Sequence, residues 1–368
     1  MTKIHKHFFF LTFFIFLFSI ASFTAWVIIY SLHLSGEFKY VIIGLTLGAP
    51  ILFIFAEVLY RYYDNLFTRS IYLISSYVGG LFVYWFVASV VLSIAYIFSA
   101  HIKIEYLYTL SLFLYSLGTL FFVSGILQAL RIKVVNYKIS PPTQYPHLVG
   151  KKFVLVADTH LGPINQEIFV RRVFKKILNQ KPDAVLFSGD MFDSECYSDV
   201  ESLKKEIKFI TSQVPVFFTP GNHEQYGPFE HFMQIAEEGG MTVLIDEAVR
   251  FLNVPIFGLN FRQTKKMDEV EKVINENISI GHPSIVLNHE PVFHSLLSKA
   301  GAFLVVSGHT HNGQFWPGKY LSHMVYKKFN YGLQTFSDMN SITTSGVGTF
   351  GPPMRTFNTP EIVVIEFK

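Results

Sequence analysis

The chain has 368 residues, half of them apolar, with 30 Lys/Arg against 27 Asp/Glu. That length suits two domains, and the near-neutral balance offers no basic field for counterion release, so duplex nucleic acid is excluded as the main partner. A single cysteine, Cys196, excludes an intramolecular disulfide and a thiolate metal cluster and favours a reducing compartment.

The apolar residues are unevenly spread: up to Leu130 the chain holds only six Lys/Arg and four Asp/Glu. Four stretches free of these residues run from His7 to Leu32, Tyr40 to Ala56, Ser70 to His101 and Tyr106 to Leu130. Three exceed the roughly 20 residues that cross a bilayer; the second, which contains Pro50, reaches that length by taking in Glu57. Residues 1–131 are therefore expected to form a transmembrane domain of four helices. The first run is too long for a signal peptide and lacks a small-residue cleavage site. Lys3, Lys6, Arg61, Arg69, Arg131, Lys133 and Lys138 fall on one side of this topology, against Lys39 and Lys103 on the other. By the positive-inside rule both termini and the following domain are expected in the cytoplasm. Glu57 and Arg61, one helical turn apart, are expected to pair. No other charge lies within a span, which leaves little for a transport pathway.

Residues 132–150, with three prolines and a glycine, read as an extended linker. Beyond them, short β-prone runs alternate with helix-like segments such as Gln166–Gln180 and Asp199–Gln213. Polar clusters follow the apolar runs. "FVLVA" leads to Asp158-Thr159-His160 and "AVLFSG" to Asp190 and Asp193. "VPVFFTPG" leads to Asn222-His223-Glu224, "SIVL" to Asn288-His289-Glu290, and "FLVVSG" to His309-Thr310-His311. In α/β folds, sites collect at the carboxyl ends of strands. A single Asp-x-His after a strand is a common turn; five such clusters in order supply two Asp, one Asn, four ligand-type His and the further His223. Two divalent cations about 3.5–4 Å apart can activate water and grip a phosphoryl group if one carboxylate bridges them, a role that suits Asp190. Imidazoles and hard oxygens favour Mn²⁺, Fe or Zn²⁺. The glycines before Asp190, Asn222 and His309 are expected to turn the backbone sharply.

The ordered blocks DTH, GDMFD, GNHE, NHE and GHTH resemble those of the calcineurin-like metallophosphoesterase superfamily, over residues 151–368. The resemblance implies an α/β metallophosphoesterase domain of two mixed β-sheets flanked by helices, joined to the four-helix transmembrane segment. It implies a first metal on Asp158, His160, Asp190 and His311, and a second on Asp190, Asn222, His289 and His309. His223 would act as general acid for the leaving oxygen or as a stabiliser of developing charge. Thr159 stands where many members have leucine, and Asn312 where the membrane-linked branch often has a second glycine. The tail from Ser345 to Phe367 also resembles that branch. In it Arg355 reads either as a contact to substrate phosphate or as a surface arginine ending a loop.

Asp193 and Glu224 read as groups that orient ligands through hydrogen bonds, and Glu290 as another or as a solvated residue. His231, His282 and His294 sit at no ligand spacing and read as structural. Residues 315–333 mix aromatic, Met and basic residues, and read either as a lip touching the bilayer, with Lys327 and Lys328 meeting head groups, or as an ordinary loop. The resemblance implies a membrane-tethered hydrolase using two divalent metal ions, manganese foremost. Its substrate would be phosphorylated and lipid-linked, of the UDP-2,3-diacylglucosamine type with release of UMP. Soluble phosphoesters or cyclic nucleotides are alternative substrates, and the rivals are a non-catalytic phosphoryl-binding receptor and a transporter with an accessory enzyme domain.

Overall fold

A computed structural model describes residues 3–98, 104–194, 200–262, 266–278 and 282–368; Cys196 lies outside them. Four helices are long and apolar enough to cross a membrane: α1 (Lys3–Ser31), α2 (Glu37–Tyr62), α3 (Leu66–Ile97) and α4 (Ile104–Ala129). Helix α2 runs through Pro50, and Arg61 pairs with Glu57 at 3.1 Å on its last turns. Helix α3 begins four residues before the charge-free stretch expected from sequence. Asn65 caps it, accepting from the amides of Phe67 and Thr68, and Arg69 is neutralised by Asp64.

The chain divides into two compact units, one of Met1–Leu127 with Gly351–Met354 and one of Gln128–Phe350 with Arg355–Lys368. The second unit contains, in chain order, β1 (Lys133–Ile139), β2 (Lys152–Val156), α5 (Glu167–Leu178), β3 (Ala184–Ser188), α6 (Val200–Thr211), β4 (Val216–Thr219), α7 (Asn222–Tyr226), α8 (Phe229–Glu238), β5 (Thr242–Val243), β6 (Glu247–Phe251) and β7 (Val254–Leu259). It continues with α9 (Met267–Asn277), β8 (Ser284–Asn288), α10 (His294–Ala300), β9 (Ala302–Ser307), α11 (Gly318–Tyr326), β10 (Gly332–Phe336), β11 (Met339–Thr343) and β12 (Glu361–Phe367).

The strands make two mixed six-stranded sheets, ordered β1-β12-β2-β3-β4-β5 and β10-β11-β9-β8-β7-β6. The α/β class with two mixed sheets flanked by helices is thus observed. Strands β3, β8 and β9 are buried at every position, which is why they read as continuous apolar runs rather than alternating ones. Leu155, Leu186, Leu287 and Val306 meet between the sheets. Helices cover the outer faces: α5 turns Val170, Val173, Phe174 and Ile177 inward, the i, i+3, i+4, i+7 stripe of a surface helix, while α9 and α10 cover the second sheet.

One expectation requires correction. The supposed linker is extended, but Lys133–Ile139 is a strand paired in parallel, residue for residue, with Glu361–Phe367. Exposed or half-buried at all but its last residue, it is an edge strand whose partner lies more than two hundred residues downstream, beyond the reach of local pattern. Removing β1 uncovers β12, a strand buried at six of its seven positions. A soluble fragment beginning at Gln128 should therefore elute as a single species on size-exclusion chromatography. One beginning at Ser140 should aggregate, and equal behaviour of the two would disprove the strand's structural part.

Candidate metal centre

The five polar clusters follow β2, β3 and β4 of one sheet and β8 and β9 of the other. Within each sheet these strands run parallel, so the clusters share one end of the sandwich. Hydrogen bonds between the loops fix their order: Asp158 N–H donates to Gly189 O at 3.0 Å, His160 N–H to Asp190 O at 3.1 Å and Gly308 N–H to His289 O at 2.9 Å. Asp158, His160, Asp190, His309 and His311 all have positive φ, between 45° and 70°. Non-glycine residues rarely occupy this region, and such strain collects where a site demands it.

Two groups of side chains converge. In the first, His160 Nε2 lies 3.0 Å from His311 Nε2 and 3.9 Å from Asp190 Oδ2, with Asp158 Oδ1 3.8 Å from His311 Nε2. In the second, Asn222 Oδ1 lies 2.7 Å from His309 Nδ1 and 3.1 Å from His289 Nε2, and His289 Nε2 is 3.1 Å from Asp190 Oδ2. All seven residues expected as ligands are therefore brought together, and the same oxygen of Asp190 faces both groups. Donor atoms about 3 Å apart are spaced as ligands sharing a cation at about 2.1 Å would be.

The electrostatics fit cations as well. Burial, followed by the neighbouring His223, holds His160 neutral, down to about 4; burial and then His160 keep His311 well below its ordinary value. Two neutral imidazoles aim ring nitrogens at one point. Burial pushes Asp158 up to about 7, a carboxyl in need of a positive partner. Burial opposes charge on His289 and Asp190 too, but their mutual attraction wins, raising His289 to about 10 and holding Asp190 well below the carboxylate range. A divalent cation would take over from that proton. His289 Nδ1 sits 2.8 Å from Ser188 O, which only accepts, so Nδ1 keeps its hydrogen and Nε2 is the atom that would turn a lone pair to a cation once that proton is displaced.

His223 stands beside both groups, its ring edge-on to His160 with centroids 4.5 Å apart. Its amide donates to Asp190 Oδ1 at 2.9 Å and its Nδ1 pairs with Asp193 Oδ1 at 3.0 Å. Burial lowers its affinity for a proton, but the Asp193 hydrogen bond and the Asp190 charge outweigh this and raise His223 to about 9. Glu224 is fully buried and accepts from the amides of Gly221, Phe192 and Asp190 at 2.7, 2.8 and 3.0 Å, tying the second and third clusters together.

Of the three glycines expected to turn the chain, only Gly189 has positive φ, +80°. Gly221 and Gly308 serve close approach instead: a Cβ on Gly221 would stand 2.2 Å from Asp190 Oδ1, and one on Gly308 2.6 Å from Asp158 Oδ2. Asn312 replaces the expected glycine at φ 48°, which asparagine tolerates, and accepts from Asn330 Nδ2 at 3.0 Å. Thr159 donates to Met191 O at 2.7 Å.

Arg355 is not a surface residue. It is fully buried and donates to Gly348 O at 2.6 Å and Asn358 Oδ1 at 2.9 Å, with Nη2 3.3 Å from His311 Nδ1. Its charge therefore backs the His311 ring. His294 stacks on Phe329 and meets Ser341 Oγ at 3.0 Å, whereas His231 and His282 are exposed; none of the three joins the centre. Glu290 accepts from Tyr326 OH at 2.9 Å. Sequence reasoning missed Phe350, whose ring centroid lies 5.0 Å from that of His223, and Tyr326, 5.8 Å from His309. No local signal marks either: Phe350 stands in a loop and Tyr326 closes α11, each in a stretch with other aromatics.

Residues 151–313 match the model of one protein family, the calcineurin-like phosphoesterases. Residues 151–313 thus carry a calcineurin-like phosphoesterase domain, in a chain with four helices long and apolar enough to cross a membrane. An uncharacterized metallophosphoesterase of Helicobacter pylori is 30% identical over 220 residues, covering 58% of this chain and 59% of that protein. A transmembrane protein with metallophosphoesterase domain from Danio rerio is 27% identical over 253 residues, 64% of this chain and 57% of that protein. The UDP-2,3-diacylglucosamine pyrophosphatase LpxG of Chlamydia muridarum is 23% identical over 286 residues, 61% of this chain and 85% of that protein. The chain spans about three fifths of the length of the bacterial relatives it matches first.

Because Gly221 leaves no space for a side chain, Gly221→Ala should push Asp190 away from the His289 ring. Elemental analysis of the purified protein should then find metal per chain well below that of the parent. An unchanged content would argue against the shared carboxylate.

Proposed function

We propose that the protein is a membrane-tethered phosphoesterase of two divalent metal ions, manganese foremost with Fe or Zn²⁺ as alternatives, its catalytic domain in the cytoplasm. The observation that carries this reading is the single oxygen of Asp190 that faces both ligand groups, 3.1 Å from His289 Nε2 and 3.9 Å from His160 Nε2. Asp158, His160, Asp190 and His311 would hold one ion, and Asp190, Asn222, His289 and His309 the other. When bound, such a pair supplies an activated water and neutralises phosphoryl oxygens.

The remaining chemistry belongs to the chain. Asp193 orients the His223 imidazole and keeps it protonated, so its Nε2–H is ready to pass a proton to the departing oxygen. Glu224 holds the amide of Asp190, and Arg355 backs His311, so the ligands keep their geometry as charge develops. The substrate proposed is a lipid-linked phosphodiester or pyrophosphate of the UDP-2,3-diacylglucosamine type, cleaved to UMP and a lipid sugar phosphate. Four membrane-crossing helices in the same chain and the likeness to the chlamydial pyrophosphatase support this choice.

Detergent-purified protein with Mn²⁺ should release UMP from UDP-2,3-diacylglucosamine in mixed micelles, and chelation should abolish it. His223→Ala should lower the rate by about 10²–10⁴-fold while metal content stays at the parent level. Turnover of soluble esters alone would remove the lipid substrate and keep the metal chemistry. Asp190→Ala that leaves cellular function intact would instead favour a non-catalytic receptor.

The pH profile provides a separate check. An acid catalyst works while protonated, so activity should fall as pH rises through the His223 pKa, raised to about 9. Asp193→Asn removes the hydrogen bond that raises it, so the alkaline fall should move toward the ordinary imidazole value of about 6.5. A profile that does not move would exclude His223 as the acid.

A further inference from the structure

Helix α11 is built inside out. At 100° per residue, Ser322, Tyr326, Lys319 and His323 fall on one side of it, and Tyr320, Leu321, Met324 and Val325 on the other. On the polar side Ser322 and Tyr326 turn to the protein, the Ser322 hydroxyl bonding Asn330 Oδ1 and Tyr326 OH donating to Glu290 Oε1 at 2.9 Å, while Lys319 and His323 stay exposed. The apolar side faces out, with Tyr320 63%, Leu321 64%, Met324 74% and Val325 68% exposed. No residue of the helix is buried. Four large apolar residues in one outward stripe are what a surface helix normally hides.

The charges around the stripe indicate its occupant. Lys319, His323, Lys327 and Lys328 line a cavity of about 570 Å³ beside the helix, together with Lys133 of β1. Lys133, Lys319 and Lys327 form no ion pair among the described residues. The carboxylate in this cavity, Glu361, is already engaged by Tyr331 OH at 2.7 Å, Thr344 Oγ1 at 3.2 Å and the Ser345 amide at 3.2 Å. An apolar stripe flanked by unpaired lysines is complementary to a leaflet of anionic lipid, with acyl chains against the stripe and phosphate head groups against the cations. A second protein would have to bring both an apolar face and matched carboxylates; the bilayer is already supplied by the chain's own spans.

We infer that α11 docks on an anionic leaflet, Tyr320, Leu321, Met324 and Val325 entering its acyl boundary while Lys319, Lys327, Lys328 and Lys133 bind head groups. The helix is latched to the metal loop: Thr310 Oγ1 donates to Asn330 O at 2.7 Å, Asn330 Nδ2 to Asn312 Oδ1 at 3.0 Å, and the Tyr326 ring lies 5.8 Å from His309. Docking therefore brings the mouth of the metal centre to the lipid surface, whichever phosphoester is cut there.

The test uses the full-length chain carrying Cys196→Ser and Met324→Cys, spin-labelled and reconstituted in vesicles of phosphatidylcholine with or without phosphatidylglycerol. Accessibility to oxygen and to a water-soluble nickel chelate is read, with labels at Tyr320→Cys as a second site and at the exposed Lys272→Cys on α9 as the aqueous reference. In the anionic vesicles labels at 320 and 324 should lose nickel accessibility and gain oxygen accessibility. Lys319→Gln with Lys327→Gln and Lys328→Gln should reverse much of that change. Nickel accessibility at 324 equal to that at 272 in both vesicles would overturn the inference. So would protection from both reagents, which would mean that protein covers the helix.

Discussion

The site in the second unit is arranged around one buried carboxylate. Asp190 is almost wholly removed from water, and burial alone would protonate it. It stays charged because one oxygen faces His289 and the other accepts the His223 amide, while Glu224 grips its own backbone. The strained loops follow from that requirement. Residues from five strand ends must converge on a point a few ångströms wide, and positive φ at five of them is how the chain gets there. Rigid strands in two sheets hold those loops from behind, and Ser188 links the sheets by donating to Val306 O at 2.9 Å while its carbonyl orients His289.

The chemistry was legible in the sequence because metal binding restricts residue type. Aspartates, asparagine and histidines after short apolar runs have few other uses in such order, and strands buried on both faces announce themselves as unbroken apolar runs. The membrane helices were equally plain, since the bilayer demands length and excludes charge. What escaped was anything decided by distant partners. The strand Lys133–Ile139 looks like a connector until Glu361–Phe367 lies beside it. Arg355 carries no mark of burial; its hydrogen bonds go to Gly348, Asn358 and the His311 ring, a group assembled only in the fold. Local turn chemistry also misled at Gly221 and Gly308, where the missing side chain matters more than the backbone angle.

The two halves of the protein obey opposite rules for placing apolar surface. Among the described side chains, helices α1 to α4 expose aliphatic and aromatic residues, as lipid-facing segments do, whereas the sandwich hides most of its own between layers. Helix α11 follows the first rule inside the second unit. Its outward Leu321 and Met324 would be a liability in water alone, and it is held not by a core but by polar contacts to the loop that carries His309 and His311.

The pairing of β1 with β12 also sets an order of events during synthesis. The strand made directly after the last membrane helix has as its described neighbour in the sheet the strand made after all five ligand-bearing loops, and that late strand separates β1 from β2. While the ribosome is still translating, the early strands must wait with an open edge. The sheet closes only when Glu361–Phe367 has left the exit tunnel. Chains cut short by a late stop would thus carry every ligand from Asp158 to His311 and still lack the strand that joins the sheet together. Quality-control proteases would meet them as unfinished sheets, not as folded domains missing a tail.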